Sequence, residues 1–169
     1  GVSSAASDVY KRQENKGENM KTAILVISFG TSHRDTLEKT IGAVEKKLKY
    51  EFKTDVFRAF TSGMIIKKLR ERDGIEIDTV DEALKKLYKS GYTDIFCVPT
   101  HIMCGIEYDK ACRMIEKFND KMKIRISRPL VTETSDYYNI VDIFKHRLTD
   151  KNRLYVFMGH GLSLIHISE

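Results

Sequence analysis

Thr22-Ala-Ile-Leu-Val-Ile-Ser28 is an unbroken apolar run closed by a hydroxyl, and its reading decides the fold. A strand with one wet face alternates apolar and polar residues. A run without alternation suits a strand buried on both faces, as in a parallel sheet. Working outward, Ser32 to Asp35 forms a helix start with an acidic residue near the positive end, and Leu37, Ile41, Val44 and Leu48 then recur at helical spacing. Residues 54–59 (TDVFRA) read as a second strand. Ser62 opens a helix with Ile65, Ile66 and Leu69 inward, ending near Asp73-Gly74. Thr79-Val-Asp-Glu82 has the form of a capping box, with Val80, Ala83, Leu84 and Leu87 in one stripe and Gly91 as the stop.

Residues 93–98 (TDIFCV) read as a third strand closed by Pro99. A helix over 107–121 turns Tyr108, Ala111, Cys112, Ile115 and Phe118 inward. Residues 123–127 (KIRIS) alternate, which places that strand nearer the sheet edge. A helix over 134–148 turns Tyr137, Val141, Phe144 and Leu148 inward, and residues 153–158 read as a fifth strand. Such alternation of strands and helices gives an α/β fold: a three-layer parallel sheet with helices on both faces.

The 169 residues suffice for one compact domain with its own core. With 41% hydrophobic and 31% charged residues the composition is that of an ordinary soluble protein. No window approaches the apolar length of a membrane span, and no secretory signal is visible, so the expected location is cytoplasmic with no membrane partner. The net charge is +5, but the cations are spread along helical faces; this argues against nucleic acid and suits an anionic small substrate. Of the three cysteines, Cys97 and Cys112 read as buried reduced thiols. Cys104, in a loop near His101, is the one with a conceivable metal or redox role.

Residues 1–13 (GVSSAASDVYKRQ) and 162–169 (LSLIHISE) have no period that fits the rest, and both resemble translated sequencing-adapter read-through. The division expected on this basis is a non-native or disordered leader at 1–19, an N-terminal α/β domain at 20–152, the first strand of a truncated second domain at 153–161, and a non-native tail at 162–169. His166 lies in that tail and receives no role.

Chemistry is expected at the C-terminal ends of the strands, where α/β sheets bind ligands. Ser28-Phe-Gly-Thr-Ser32 places hydroxyls and a glycine before a helix N-terminus, either an anion site made by Ser28, Gly30, Thr31 and Ser32 or a plain glycine turn with a cap. Arg58-Ala-Phe-Thr-Ser-Gly63 repeats the pattern; here Arg58, Thr61 and Ser62 are donors for carboxylates or phosphates, or else an ion pair and a helix cap. Pro99 to Glu107 brings His101 and Glu107 to the same edge. Each also has a structural reading, His101 as an imidazole bonded to a carbonyl and Glu107 as a first-turn glutamate facing the helix dipole. Gly159-His160-Gly161 closes the fifth strand with an uncovered imidazole. His33 and His146 fall on helices and read as solvated. Neither GxGxxG nor a P-loop occurs, so no nucleotide is indicated; GxSxG, HExxH and paired-cysteine zinc patterns are also missing.

The run from Arg58 to Thr79, with ILVISFGTSHRDT (24–36), HIMCGIEYDK (101–110) and VFMGHG (156–161), closely resembles the anaerobic sirohydrochlorin cobalt chelatases, class II chelatases of cobalamin biosynthesis. The resemblance implies two flavodoxin-like α/β halves with a cleft between them, and ATP-independent insertion of Co2+ into a tetrapyrrole. It implies that His160 is a metal-binding histidine and proton acceptor, and that Glu107 faces the macrocycle as a second catalytic group. The turns at 28–32 and 58–62, with His101, would hold the substrate. It implies further that the chain is the N-terminal half, lacking a glutamate and a second histidine, and of impaired activity, with an open sheet edge that favours self-association into a homo-oligomer. The alternative is a flavodoxin-like module binding phosphate or flavin at 28–32. The natural metal among Co2+, Ni2+ and Fe2+, and the choice between sirohydrochlorin and its reduced precursor, are left open by one ligand.

Overall fold

The computed structural model describes residues 21–156, which divide into two compact units between Thr132 and Glu133. The first unit holds a four-stranded parallel sheet, β1 (Lys21–Ser28), β2 (Asp55–Phe60), β3 (Tyr92–Pro99) and β4 (Lys123–Ile126), in the order β2-β1-β3-β4. β1 and β3 are central, and Ala23, Leu25, Val26 and Ile27 have no exposed surface, as the unbroken apolar run requires. β4 is an edge strand, in keeping with its alternation.

The connections run over both faces. Between β1 and β2 lie α1 (Arg34–Lys39) and α2 (Ile41–Phe52); between β2 and β3, α3 (Gly63–Asp73) and α4 (Val80–Lys89); between β3 and β4, α5 (Ile106–Glu116). α4 and α5 cover one face, burying Val80, Leu84, Leu87, Ala111 and Ile115 against Leu25, Ile27 and Ile95. On the other face a groove of about 460 Å3 is lined by Leu48 and Phe52 of α2 together with Ile24, Phe96 and Val98 of the sheet. A smaller cluster, Leu37, Ile41, Phe60, Ile66 and Leu69, closes the C-terminal end of β2.

Local signals are realised where they are self-contained. Thr79 and Glu82 form the expected reciprocal capping box, and Gly74 takes the left-handed conformation after α3. The expected single helix over 32–48 is instead two, broken at Thr40, whose φ of −114° and ψ of −84° fit no helix. The helix expected over 107–121 ends at Glu116.

In the second unit α6 spans Thr134–Lys145. The inward stripe expected on it is not buried: Tyr137, Val141 and Phe144 are exposed. The strand expected at 153–158 is also not formed over its described part, residues 153–156, which pair with no strand. Arg153 instead closes a local turn through its contact with Asp150 at 2.9 Å. The expected boundary at 152/153 falls inside this unit. No helix among the described residues is long and apolar enough to cross a membrane.

Candidate active site at the sheet edge

The order β2-β1-β3-β4 puts the topological switch point between β1 and β3, so a ligand crevice is expected above their C-terminal ends. The turns after β1, β2 and β3 meet there and are stitched together by backbone. Thr61 N–H donates to the Ser28 carbonyl at 2.9 Å, Ser62 N–H to the Phe29 carbonyl at 3.2 Å, and Thr100 N–H to the Ile27 carbonyl at 2.8 Å.

The hydroxyl-rich turn after β1 is largely engaged within the protein. Ser28 is buried, and its Oγ accepts from Thr100 Oγ1 at 2.8 Å. Gly30 has φ +103°, and a Cβ there would lie 2.6 Å from Cδ2 of Phe60, so only glycine fits. Thr31 Oγ1 accepts from the His33 amide at 3.3 Å. Ser32 is buried, and its carbonyl accepts from the Arg72 guanidinium. The helix that follows, α1, has six residues and no side-chain cap, which is little foundation for an anion site. Only Phe29 of this turn is presented outward.

The turn after β2 is divided. Arg58 does not join the edge. β2 continues past it to Phe60, and Arg58 pairs with Val26 in mid-strand, its guanidinium held in a two-point pair with Glu45 at 2.6 and 2.5 Å. The ion-pair reading of Arg58 therefore holds. Ser62 caps α3 by accepting from Ile65 N–H at 3.4 Å. Thr61 differs: its Oγ1 is buried yet has no hydrogen-bond partner among the described residues.

The turn after β3 and the start of α5 are where polar groups remain uncommitted. Both ring nitrogens of His101 and Oε2 of Glu107 are buried without a hydrogen-bond partner. Tyr108 stands edge-on to the His101 ring at 6.3 Å. Burial holds the imidazole below the ordinary histidine value, the Glu107 carboxylate pulling the other way, which favours the neutral ring. Native proteins seldom leave buried polar atoms unpaired, so each of these atoms calls for an explanation. Among the described residues no group of three or more His, Cys, Asp or Glu could hold a metal ion. His160, on which the metal expectation rests, lies outside the described residues. Cys104 is exposed, and His33 and His146 are exposed as expected.

Two features of this edge are invisible in the motifs. Phe29, Ile102 and Met103 in the turns after β1 and β3, and Met64 and Ile106 at the starts of α3 and α5, are apolar side chains 44–76% exposed at this end of the sheet. Helical periodicity could not flag them, since all but Met64 and Ile106 sit in turns. The second is Lys110, one turn beyond Glu107, whose Nζ donates to the Thr61 carbonyl at 2.8 Å and stands 3.8 Å from Glu107 Oε2. A spacing of three after a first-turn glutamate is the one sequence signal that could have found it.

Residues 22–168 match the family model described as Cobalt chelatase (CbiK). A sirohydrochlorin cobaltochelatase of Salmonella typhimurium (strain LT2) is 43% identical over 148 residues, covering 85% of this chain and 56% of that protein. The chain thus spans about half the length of the curated relative it matches. Among solved structures, a cobalamin (vitamin B12) biosynthesis CbiX protein from Marinobacter aquaeolei VT8 aligns with a TM-score of 0.53 at 16% identity, over 75% of this chain and 97% of that one, a likeness of fold alone.

Proposed function

The chain belongs to the cobalt chelatase family, and on that premise we propose that it carries the tetrapyrrole-facing edge of an enzyme that inserts Co2+ into sirohydrochlorin without ATP. The observation that carries the reading is the pairing, on one sheet edge, of unpartnered buried polar atoms (Thr61 Oγ1, both nitrogens of His101, Glu107 Oε2) with an exposed apolar border. A sirohydrochlorin ring is flat and apolar on its faces, has N–H groups at its centre and bears carboxylates around its rim. The apolar border suits the face, the uncommitted acceptors suit the centre, and the net charge of +5 favours the approach of a polyacid.

The chemistry follows from the balance of the reaction. Two pyrrole N–H protons leave as Co2+ takes the four nitrogens, so the site needs proton acceptors and must not hold the metal too tightly. Glu107 as a carboxylate and His101 as a neutral imidazole supply acceptors on one side of the ring. His160 is proposed as the imidazole that presents Co2+, a borderline ion well matched to that ligand. Substrate metal, tetrapyrrole and a cytoplasmic setting are parts of this one proposal. The turns at 28–32 and 58–62 enter it as scaffold, with Thr61 as the group that meets substrate.

The flavin or phosphate alternative loses its carriers, because Ser28 Oγ is taken by Thr100 and Ser32 is buried. The test is titration of the 169-residue chain with sirohydrochlorin under anaerobic conditions, following the visible spectrum, with FMN as control. Saturable binding of the tetrapyrrole but not of FMN is expected, weakened in His101→Leu. Tetrapyrrole spectra indifferent to the protein would sink the reading.

A further inference from the structure

We infer that Lys110 is a positioning residue for this reaction: it ties the Glu107 carboxylate to the turn after β2 and compensates its charge while leaving its oxygens free for substrate. The inference rests on the reading of Glu107 as a group that meets the tetrapyrrole. Lys110 and Glu107 are three apart on α5 and both about one-third exposed. An ordinary pair of this kind on a helix surface contributes little. Two observations set this one apart. The ammonium is drawn off its own helix to the carbonyl of Thr61, 49 positions away, at 2.8 Å. It also stops 3.8 Å from Glu107 Oε2, close enough for charge compensation and too far for a hydrogen bond, so that this buried oxygen keeps its lone pairs.

The contacts form a continuous path. Ser28 at the end of β1 accepts from the Thr61 amide, Thr61 accepts from Lys110, and Lys110 faces Glu107. The path fixes where the first turn of α5 stands relative to the centre of the sheet. That matters because Gly105, which precedes α5, gives no side-chain cap to hold the helix start. A carboxylate meant to take a proton from a ring resting on β1 and β3 must keep its distance to within a fraction of an ångström, and misplacement by about 1 Å can cost roughly a hundredfold in rate.

The experiment uses Lys110→Met, Lys110→Gln and Lys110→Arg, with Glu107→Gln as a second background. Cobalt insertion into sirohydrochlorin is measured in the full reading frame that contains this chain. Amide hydrogen exchange at residues 61–63 and 107–110 is measured in the 169-residue chain without substrate. For Lys110→Met, kcat is expected to fall about ten- to hundredfold with KM for sirohydrochlorin within about twofold, and Lys110→Arg to recover most of the loss. In the Glu107→Gln background the further loss should be under about twofold, because the two residues act as one unit. Exchange at both segments should accelerate in Lys110→Met. Lys110→Gln keeps a donor for Thr61 without the charge, so it should retain slow exchange and still lose kcat. A raised KM with kcat intact, equal losses in both backgrounds, or unchanged exchange would each overturn the inference. If the wild-type frame inserts no cobalt, the chelatase reading fails, and exchange alone then decides whether Lys110 holds the edge together.

Discussion

The turn after β1 and the turn after β3 lie side by side on one sheet edge and differ in what they do with their polar groups. The first is rich in hydroxyls that are engaged within the protein: Ser28 accepts from Thr100, Thr31 accepts from the His33 amide, Ser32 is buried, and Gly30 clears the Phe60 ring. The second is mostly apolar in sequence, yet both ring nitrogens of His101 and, at the start of α5, Oε2 of Glu107 have no hydrogen-bond partner among the described residues. A ligand-like composition thus coincides with hydroxyls already engaged, and the unpaired atoms lie in the turn that looks less polar. The difference matters because a buried donor or acceptor stabilises the fold only when paired.

The comparison breaks most easily at its glycines. Gly30→Ala should destabilise the chain by about 2–4 kcal/mol, since the new Cβ meets Phe60 at 2.6 Å in a left-handed backbone. Gly105→Ala, in extended backbone with nothing near its Cβ, should stay within about 0.5 kcal/mol. Urea denaturation of both checks this, and equal losses would mean that the turns do not differ as described.

A smaller contrast is expected at the side chains. Ser28→Ala removes a buried acceptor from Thr100 and should cost about 1–2 kcal/mol. His101→Leu should cost less, because it deletes two unpaired nitrogens, while weakening tetrapyrrole binding measured by titration. A His101→Leu variant less stable than Ser28→Ala would place His101 in the scaffold.

The sign of the pH dependence sharpens the point. Burial lowers the folded-state pKa of His101 from its ordinary 6.5, against the opposing pull of Glu107, with Tyr108 beside the ring. The unfolded chain therefore takes up this proton first as pH falls. The contribution is complete above about 6.5 and declines below it towards the lowered value. The melting temperature of the wild type should drop more steeply between pH 7 and 5.5 than that of His101→Leu.

The smallest effect contrasts strand and turn. Burial pushes the Cys97 thiol up to about 12, whereas Cys104 is exposed. Iodoacetamide at pH 8 should label Cys104 and leave Cys97 untouched in the folded chain; prompt labelling of Cys97 would show that β3 opens.

Most of the fold was legible because its signals are local. The run 22–28 announces a strand covered on both faces, the Thr79–Glu82 box starts α4, and Gly74 follows α3 as its left-handed cap. The site was legible only in part. Thr61, His101 and Glu107 fall where strand ends suggested. Arg58 does not, because nothing local reveals that Glu45, thirteen residues earlier, claims its guanidinium. The break at Thr40 and the unpaired stretch at 153–156 escaped a periodic reading for a similar reason: period records which residues are apolar, not where the chain stops pairing.

By itself the sequence determined the alternation of strands and helices, the parallel sheet and the edge at which chemistry is expected, since apolar runs, caps and glycines act over a few residues. Tertiary structure alone decided which polar groups on that edge are committed and which are free, and it brought Lys110 to Thr61. A hydrogen bond between distant segments depends on where the backbone places its partner, and no local pattern of residues encodes that.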